Sequence, residues 1–250
     1  MVTTLYLIRH GETEGAEVRR YKGSIDVPLS EEGIRQMERL AKYLGENSSN
    51  PPSPPFSKGE MGGLLNAVYC SDLSRAIKSA EIIAEPYRLK PIIMPELRER
   101  NFGIWEGMSF DEIREKYPQE FDAWAKNPLK YSPMEGESTI EVRNRTIDTL
   151  NKILSKHMKS NTDALSDSTR REHRTQNTDK NSLGSGLCDL CSKNIAIVSH
   201  GGVNRVILCH VLGISLENIF RIEQDYAAVN IIEFWDRYPV VKLINGVING

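Results

Sequence analysis

Short apolar runs recur along the chain, each four to six residues long and rich in β-branched or aromatic side chains. This length and composition are typical of strands buried inside a sheet. The pattern predicts five strands, at Leu5–Ile8, Ala67–Cys70, Ile195–Ser199, Val229–Phe234 and Val240–Ile244.

Between these runs, apolar residues recur every three or four positions, as they do on one face of a helix. One such series follows Ser30 and another follows Asp72. Two S-x-x-E sequences, Ser109–Glu112 and Ser138–Glu141, match the capping box, which satisfies free backbone N–H groups where a helix begins. The alternation of strands and helices predicts an α/β sandwich.

Two polar stretches, 47–63 and 160–190, do not fit this alternation. The first contains four prolines and three glycines, and the second carries charges of both signs without an apolar period. Neither can bury enough apolar surface to offset the entropy of ordering it. We predict one domain over residues 1–250, interrupted by two disordered insertions. The P-x-x-P spacing of the first also occurs in polyproline ligands, but an exposed linker is the simpler interpretation.

The charge balance excludes some classes of partner. The 250 residues contain Lys+Arg 32 and Asp+Glu 34, a net charge of −2. This balance argues against binding to nucleic acid or to a membrane surface. The chain lacks a signal-peptide pattern and an apolar run long enough to span a bilayer, so we expect a cytoplasmic protein. Its oligomeric state is left open.

The four cysteines indicate a reducing compartment. Cys70 and Cys209 lie in apolar runs and are predicted to be small core residues. Cys188 and Cys191 form a single C-x-x-C without the second ligand pair that a zinc site would need. We therefore predict no metal site.

Polar side chains follow three of the predicted strands. The first strand ends in Arg9 and His10, another ends before His200, and the third is followed by Arg75 one turn into a helix. A strand-end histidine alone is usually a hydrogen-bonded structural residue. Two of them beside two arginines predict a site for a phosphate-sized dianion, because clustered cations are costly unless an anion lies between them. Glycines after each histidine, including Gly201, allow close approach of the backbone.

Five ordered motifs resemble the signatures of the histidine phosphatase superfamily, also called the phosphoglycerate mutase-like family: "LIRHGETE", "GSIDVPLSEEG", "YCSDLSRA", "ELRERNFGIWEG" and "VSHGGVNRV". The resemblance covers almost everything except the two polar stretches. It implies a three-layer α/β/α sandwich with a mostly parallel central sheet.

The resemblance also implies roles for individual residues. His10 would be the nucleophile that becomes phosphohistidine, and Glu99 the proton donor. Arg9, Arg75 and His200 would hold the phosphoryl oxygens, with Arg20 and Gly201 as further substrate contacts. Nearby cations keep an imidazole neutral and stabilise a transferring phosphoryl group, so this chemistry needs no metal or other cofactor.

One departure from the family pattern lies near the nucleophile. Relatives usually carry Trp-Asn or a similar pair ending in Asn, and that asparagine helps to hold phosphate. Here the pair reads Gly15 and Ala16. The missing contact would be left to Arg20, Thr13 or water.

Three functions are compatible with these residues: a phosphomonoesterase acting on a small metabolite, a cofactor-dependent phosphoglycerate mutase, and a non-catalytic phosphoester-binding module. The sequence after Glu99, "RNFGIWEGMSF", resembles the phosphatase branch, including α-ribazole phosphatases of cobalamin assembly, and lacks the "RHYG" type of the mutases. α-Ribazole 5′-phosphate is the first substrate hypothesis, followed by phosphosugars and phosphoglycerate. A binding module would have no use for the acid Glu99.

Other residues near these motifs are given structural roles. Without the motif, the sequence around Glu99 would indicate a surface carboxylate in a charged run. Trp105 is predicted to be a core aromatic. We assign the side chains of Arg145, Arg205 and Glu137 to structural ion pairs.

Overall fold

The computed structural model describes residues 2–18, 20–46, 65–158, 193–236 and 238–248. The two predicted insertions, 47–63 and 160–190, lie outside the described residues, and so do Cys188 and Cys191. The disorder of the two insertions stays a prediction.

Six strands in the described ranges form one sheet, in the order β3-β2-β4-β1-β5-β6. Strands β3, β2, β4 and β1 run parallel to one another, whereas β5 is antiparallel to β1 and β6 is antiparallel to β5. The mostly parallel sheet is confirmed, and five of the strands match the predicted runs. The bounds are β1 Val2–Arg9, β2 Leu65–Cys70, β3 Ile92–Ile93, β4 Lys193–Ser199, β5 Val229–Trp235 and β6 Tyr238–Gly246.

The described residues also form six α-helices. Both predicted capping boxes are present, with Ser109 and Ser138 each accepting the backbone N–H of the glutamate three residues later. The bounds are α1 Glu31–Glu46, α2 Ser74–Ala84, α3 Phe110–Lys116, α4 Pro118–Lys126, α5 Thr139–His157 and α6 Gly201–Leu212.

The alternation of side chains along the strands builds two apolar layers. In β1, Leu5 and Leu7 pack on one face against α5 and α6, while Tyr6 and Ile8 pack on the other face against α1 and α2. A strand buried on both faces reads as a continuous apolar run, as this one does. The α/β/α sandwich is therefore confirmed. Cys70 and Cys209 lie buried as free thiols, one in each layer.

None of the described helices is long and apolar enough to cross a membrane.

Candidate active site

The carboxyl ends of three neighbouring strands meet at one edge of the sheet. Strand β4 lies between β1 and β2, and all three run parallel. Arg9, the last residue of β1, pairs in register with Ser199, the last residue of β4. His10 and His200 therefore follow at the same level, and Arg75 enters from the first turn of α2. The structure brings these four predicted residues together.

His10 is buried with a defined orientation. Its Nδ1 lies 2.7 Å from the carbonyl oxygen of Gly11. A carbonyl can only accept, so Nδ1 carries the proton and Nε2 keeps its lone pair. Burial holds the pKa of His10 well below its usual value of 6.5, and the charges of Arg9 and Arg75 lower it further. The imidazole is neutral near pH 7, with Nε2 as a nucleophilic atom.

His200 lies fully buried beside His10, with the two ring centroids 5.1 Å apart in an edge-on arrangement. Its Nε2 is 2.7 Å from Ser71 Oγ, and its Nδ1 has no hydrogen-bond partner among the described residues. Burial lowers the pKa of His200 well below 6.5, and the neighbouring His10 and Arg75 act in the same direction. His200 is therefore a neutral imidazole beside the His10 ring, with no hydrogen bond at Nδ1 within the described residues.

The two arginines are held by backbone carbonyls instead of carboxylates. Arg9 donates from one terminal nitrogen to the carbonyl oxygen of Gln224 at 2.5 Å, and its guanidinium carbon lies 3.9 Å from the centroid of the Tyr226 ring. Arg75 donates to the carbonyl oxygens of Ile25 and Gly23, both at 2.7 Å. Neither charge is neutralised by an ion pair within the described residues, so this corner of the sheet stays cationic.

Glu99 reaches the same corner from the loop after β3. Its two carboxylate oxygens accept the backbone N–H of Gly202 and that of Arg100, each at 2.9 Å. A Cβ at position 202 would overlap the carboxylate, so glycine is needed there for this close approach. Far from being an exposed surface carboxylate, Glu99 is half-buried against the first turn of α6.

A cavity of about 590 Å³ opens at this edge of the sheet. It is lined by His10, Arg9, Arg75 and Glu99, and Glu99 is the only carboxylate among its described lining residues. Two other carboxylates near the motifs are engaged elsewhere, because Glu12 accepts from Ser30 Oγ and Glu106 from Ser24.

Arg20 also lines the cavity, but its guanidinium is already paired. It donates two hydrogen bonds to the carboxylate of Glu112, at 2.6 and 3.0 Å, and a third to the carbonyl oxygen of Gly107. A contact between Arg20 and a bound anion would require it to leave Glu112. Gly201, the first residue of α6, lies beside the guanidinium of Arg9.

Three further cations, Lys22, Arg100 and Arg205, line the cavity without having been predicted as site residues. Lys22 projects into it next to Thr13, and Arg205 projects from α6. The prediction of a structural ion pair for Arg205 is wrong within the described residues, since its Nε donates to the carbonyl oxygen of Ile222. The ion pair between Arg145 and Glu137 is confirmed, at 2.8 Å.

Aromatic side chains form another part of the cavity wall. Trp105 is buried as predicted, yet it also lines the cavity, and its Nε1 has no partner among the described residues. Its ring meets Trp124 edge-on at 6.4 Å, and Trp124 meets Phe110 at 6.3 Å. Phe220 lines the cavity while remaining 76% exposed. The cavity thus joins a cationic corner to an aromatic wall.

The described residues contain no group of three or more His, Cys, Asp or Glu side chains arranged to hold a metal ion.

The sequence matches a family model described as the histidine phosphatase superfamily, branch 1, over residues 5–52, 61–166 and 185–246. The internal segments left unmatched, 53–60 and 167–184, fall within the two polar stretches.

Two curated proteins are similar over almost their whole length. Phosphoserine phosphatase 1 from Hydrogenobacter thermophilus is 27% identical over 241 residues, which is 96% of this chain and 91% of that protein. An adenosylcobalamin/alpha-ribazole phosphatase from Salmonella typhimurium is 27% identical over 244 residues, which is 96% of this chain and 95% of that protein.

Among solved structures, a putative alpha-ribazole-5′-P phosphatase from Escherichia coli superposes with a TM-score of 0.72. The match covers 99% of this chain and 98% of that chain at 22% sequence identity, and it shows a shared fold.

Proposed function

The chain belongs to the histidine phosphatase superfamily, branch 1, and on that premise we propose that it hydrolyses a small phosphomonoester through a phosphohistidine at His10. The family and its named relatives make the chain a phosphatase. The observation that carries the proposed mechanism is the hydrogen bond from His10 Nδ1 to the Gly11 carbonyl, which leaves the lone pair of Nε2 free.

In the first step, His10 Nε2 attacks phosphorus. The new N–P bond forms as the P–O bond to the leaving alcohol breaks, and Glu99 gives its proton to the departing oxygen. In the second step, water attacks phosphorus and gives a proton to the Glu99 carboxylate. The N–P bond breaks, inorganic phosphate is released, and neutral His10 is restored.

The charge of the transferring group is balanced by the protein. Arg9 and Arg75 line the cavity and carry full positive charges beside His10, whereas His200 is fully buried and is not among the described lining residues. Phosphoryl transfer depends mainly on positioning and charge stabilisation, so these groups can act in place of a metal ion. The proposed reaction therefore uses no metal.

The assignment of the acid rests on position. Glu99 is the carboxylate that lines the cavity among the described residues, and its two N–H contacts hold it against the turn that begins α6. A carboxyl group fixed in this way can face the leaving oxygen without competing with the arginines for the phosphoryl oxygens.

For the leaving group, we propose a planar aromatic body, as in α-ribazole 5′-phosphate. The support is the aromatic wall, and above all the exposed Phe220, since a large apolar side chain at a cavity mouth is stabilised when a ligand covers it. The name of the Salmonella relative is consistent with this substrate.

Phosphoserine is the second candidate, and Arg205 is the observation that favours it. This guanidinium lines the cavity and pairs with no carboxylate among the described residues. It is suited to a substrate carboxylate. The Hydrogenobacter relative carries the name of such an enzyme.

The reaction is tested by measuring phosphate release from a panel of phosphomonoesters with EDTA present. The proposal predicts sustained turnover in EDTA. Activity that is lost in EDTA and restored by a divalent cation would contradict it.

Two variants separate the substrates. Phe220→Ala should lower kcat/KM for α-ribazole 5′-phosphate by about 5- to 30-fold, the effect of losing roughly 1–2 kcal/mol of apolar contact. Arg205→Met should lower kcat/KM for phosphoserine by about 10- to 150-fold, the range for a charged hydrogen bond. Tyr238→Ala removes a similarly exposed ring from β6, away from the cavity, and should change neither. If Phe220→Ala leaves α-ribazole 5′-phosphate unaffected, the aromatic substrate is ruled out.

A further inference from the structure

Lys22 stands out among the residues that line the cavity. It lies between β1 and α1, and its Nζ donates to Thr13 Oγ1 at 2.7 Å and to the carbonyl oxygen of Glu14. No carboxylate forms an ion pair with it in the described part of the chain. A lysine ammonium has three N–H donors, so two are engaged here and one is left over.

The surroundings of Lys22 connect it to the nucleophile. Burial lowers the pKa of Lys22, and the positive charge of Arg75 lowers it further, although Glu17, Glu12 and Glu14 act in the opposite direction. The charge of Lys22 in turn contributes to the lowered pKa of His10. Lys22, Arg75 and His10 also line the same cavity.

Two cations that line one cavity, as Lys22 and Arg75 do, repel one another unless an anion lies between them. Lys22 is half-buried, and the ion pair with a carboxylate that ordinarily stabilises such a lysine is missing among the described residues. A bound anion would supply the partner that Lys22 lacks within the described residues.

Lys22 also lies where the family pattern is interrupted. Gly15 and Ala16 replace the pair ending in an asparagine that holds phosphate in relatives, and Ala16 lines the cavity with a methyl group. Thr13 lines the same cavity and accepts a hydrogen bond from Lys22, which leaves the hydroxyl hydrogen of Thr13 free to donate. The pair therefore offers two donors, one from the ammonium and one from the hydroxyl.

We propose that Lys22, supported by Thr13, contacts the phosphoryl oxygens and takes the place of the missing amide. This inference rests on the proposed function, because it assigns Lys22 to the same phosphate site. It makes phosphate affinity in this chain depend on an ammonium group, which can lose its proton, whereas an amide cannot.

The first test is binding of inorganic phosphate, measured both by calorimetry and as competitive inhibition of p-nitrophenyl phosphate hydrolysis. Lys22→Met removes the charge and every donor, and should weaken phosphate binding by about 10- to 150-fold, the range for hydrogen bonds to charged groups. Lys22→Arg keeps the charge and should recover most of the affinity. Lys42→Met makes the same change on α1, where Lys42 pairs with Glu46, and should leave phosphate affinity within about two-fold of the unmodified protein.

The second test uses the alkaline limb of the pH profile. Loss of the Lys22 proton should reduce kcat/KM as pH rises, below the ordinary lysine value of 10.5 because the pKa of Lys22 is lowered. Lys22→Arg should move that limb to higher pH. Tyr21 also lines the cavity, but burial raises the pKa of its phenol, so Tyr21→Phe should keep the limb.

Phosphate affinity in folded Lys22→Met within about two-fold of the unmodified protein would overturn the inference. An alkaline limb that persists unchanged in Lys22→Arg would overturn it as well. Calorimetry separates this failure from failure of the proposed function: a protein that binds phosphate through Lys22 but hydrolyses no phosphomonoester would refute the function and leave the inference supported.

Discussion

Replacing Glu99 with glutamine should affect poor leaving groups far more than good ones. A general acid matters in proportion to how poorly the departing oxygen carries negative charge, and positioned proton transfer contributes roughly 10²- to 10⁴-fold in rate. An ethoxide needs that proton, whereas a p-nitrophenolate hardly does. We expect kcat/KM for ethyl phosphate to decrease by a factor within that range, and kcat/KM for p-nitrophenyl phosphate to decrease much less.

The hydrogen bonds of Glu99 predict a second effect of this substitution, which should be the same for both substrates. The two carboxylate oxygens of Glu99 accept the N–H groups of Gly202 and Arg100. A glutamine amide can accept from only one of them, and its NH₂ group then faces the other donor. The mismatch costs about 1–3 kcal/mol of stability. Because it disturbs the site in the same way for both substrates, the ratio of the two losses isolates proton transfer.

The assay compares kcat/KM for both substrates in the unmodified protein and in Glu99→Gln. Since kcat/KM covers every step through departure of the alcohol, it reports phosphorylation of the enzyme. Glu96→Gln is the matched control, because Glu96 is an exposed carboxylate in the same charged run. It should change neither rate.

Equal losses with the two substrates would refute the assignment, since they would mean that Glu99 only shapes the site. Small losses with both would mean that it is a bystander. Either result would direct attention to Glu12 and Glu106, the other carboxylates near the motifs.

Three further predictions follow from the site and the chain around it. The ring resonances of His10 should not titrate between about pH 8 and pH 6 in an NMR experiment, because its lowered pKa keeps it neutral there; a midpoint near 6.5 would contradict its burial. Replacing residues 49–62 and 161–185 with short Gly/Ser links should leave kcat/KM within a few-fold, and a collapse of activity in folded protein would show that one stretch covers the site. Adding 2,3-bisphosphoglycerate should not yield efficient interconversion of phosphoglycerates, and rapid interconversion with little phosphate release would favour the mutase alternative.

Much of the fold could be predicted because its signals are local. The run Leu5–Ile8 is apolar throughout, since a strand between two helical layers is buried on both faces. The capping boxes at Ser109 and Ser138 need only four residues each. The strand β3 was missed because Ile92–Ile93 is two residues long and Ile93 is half exposed, which leaves no pattern to detect.

The site was predicted less completely, because its chemistry depends on burial and on the path of the loops. Neighbouring cations were expected to keep His10 neutral, yet burial is the leading cause, and a sequence does not state burial. Arg205 had a detectable signal, since it follows Gly201 by four residues and so lies on the same face of α6. Lys22 and the aromatic wall had none, because tertiary contacts alone bring them to the cavity.

The most direct test of the account is to trap the phosphoryl group. Phosphohistidine is stable in alkali, so rapid quenching of the enzyme into base with ³²P-labelled substrate, followed by peptide mapping, locates the label. We expect label on the peptide that contains His10, formed and lost at rates that match turnover, and no turnover in His10→Ala. Label on His200, or hydrolysis that survives in His10→Ala, would contradict it.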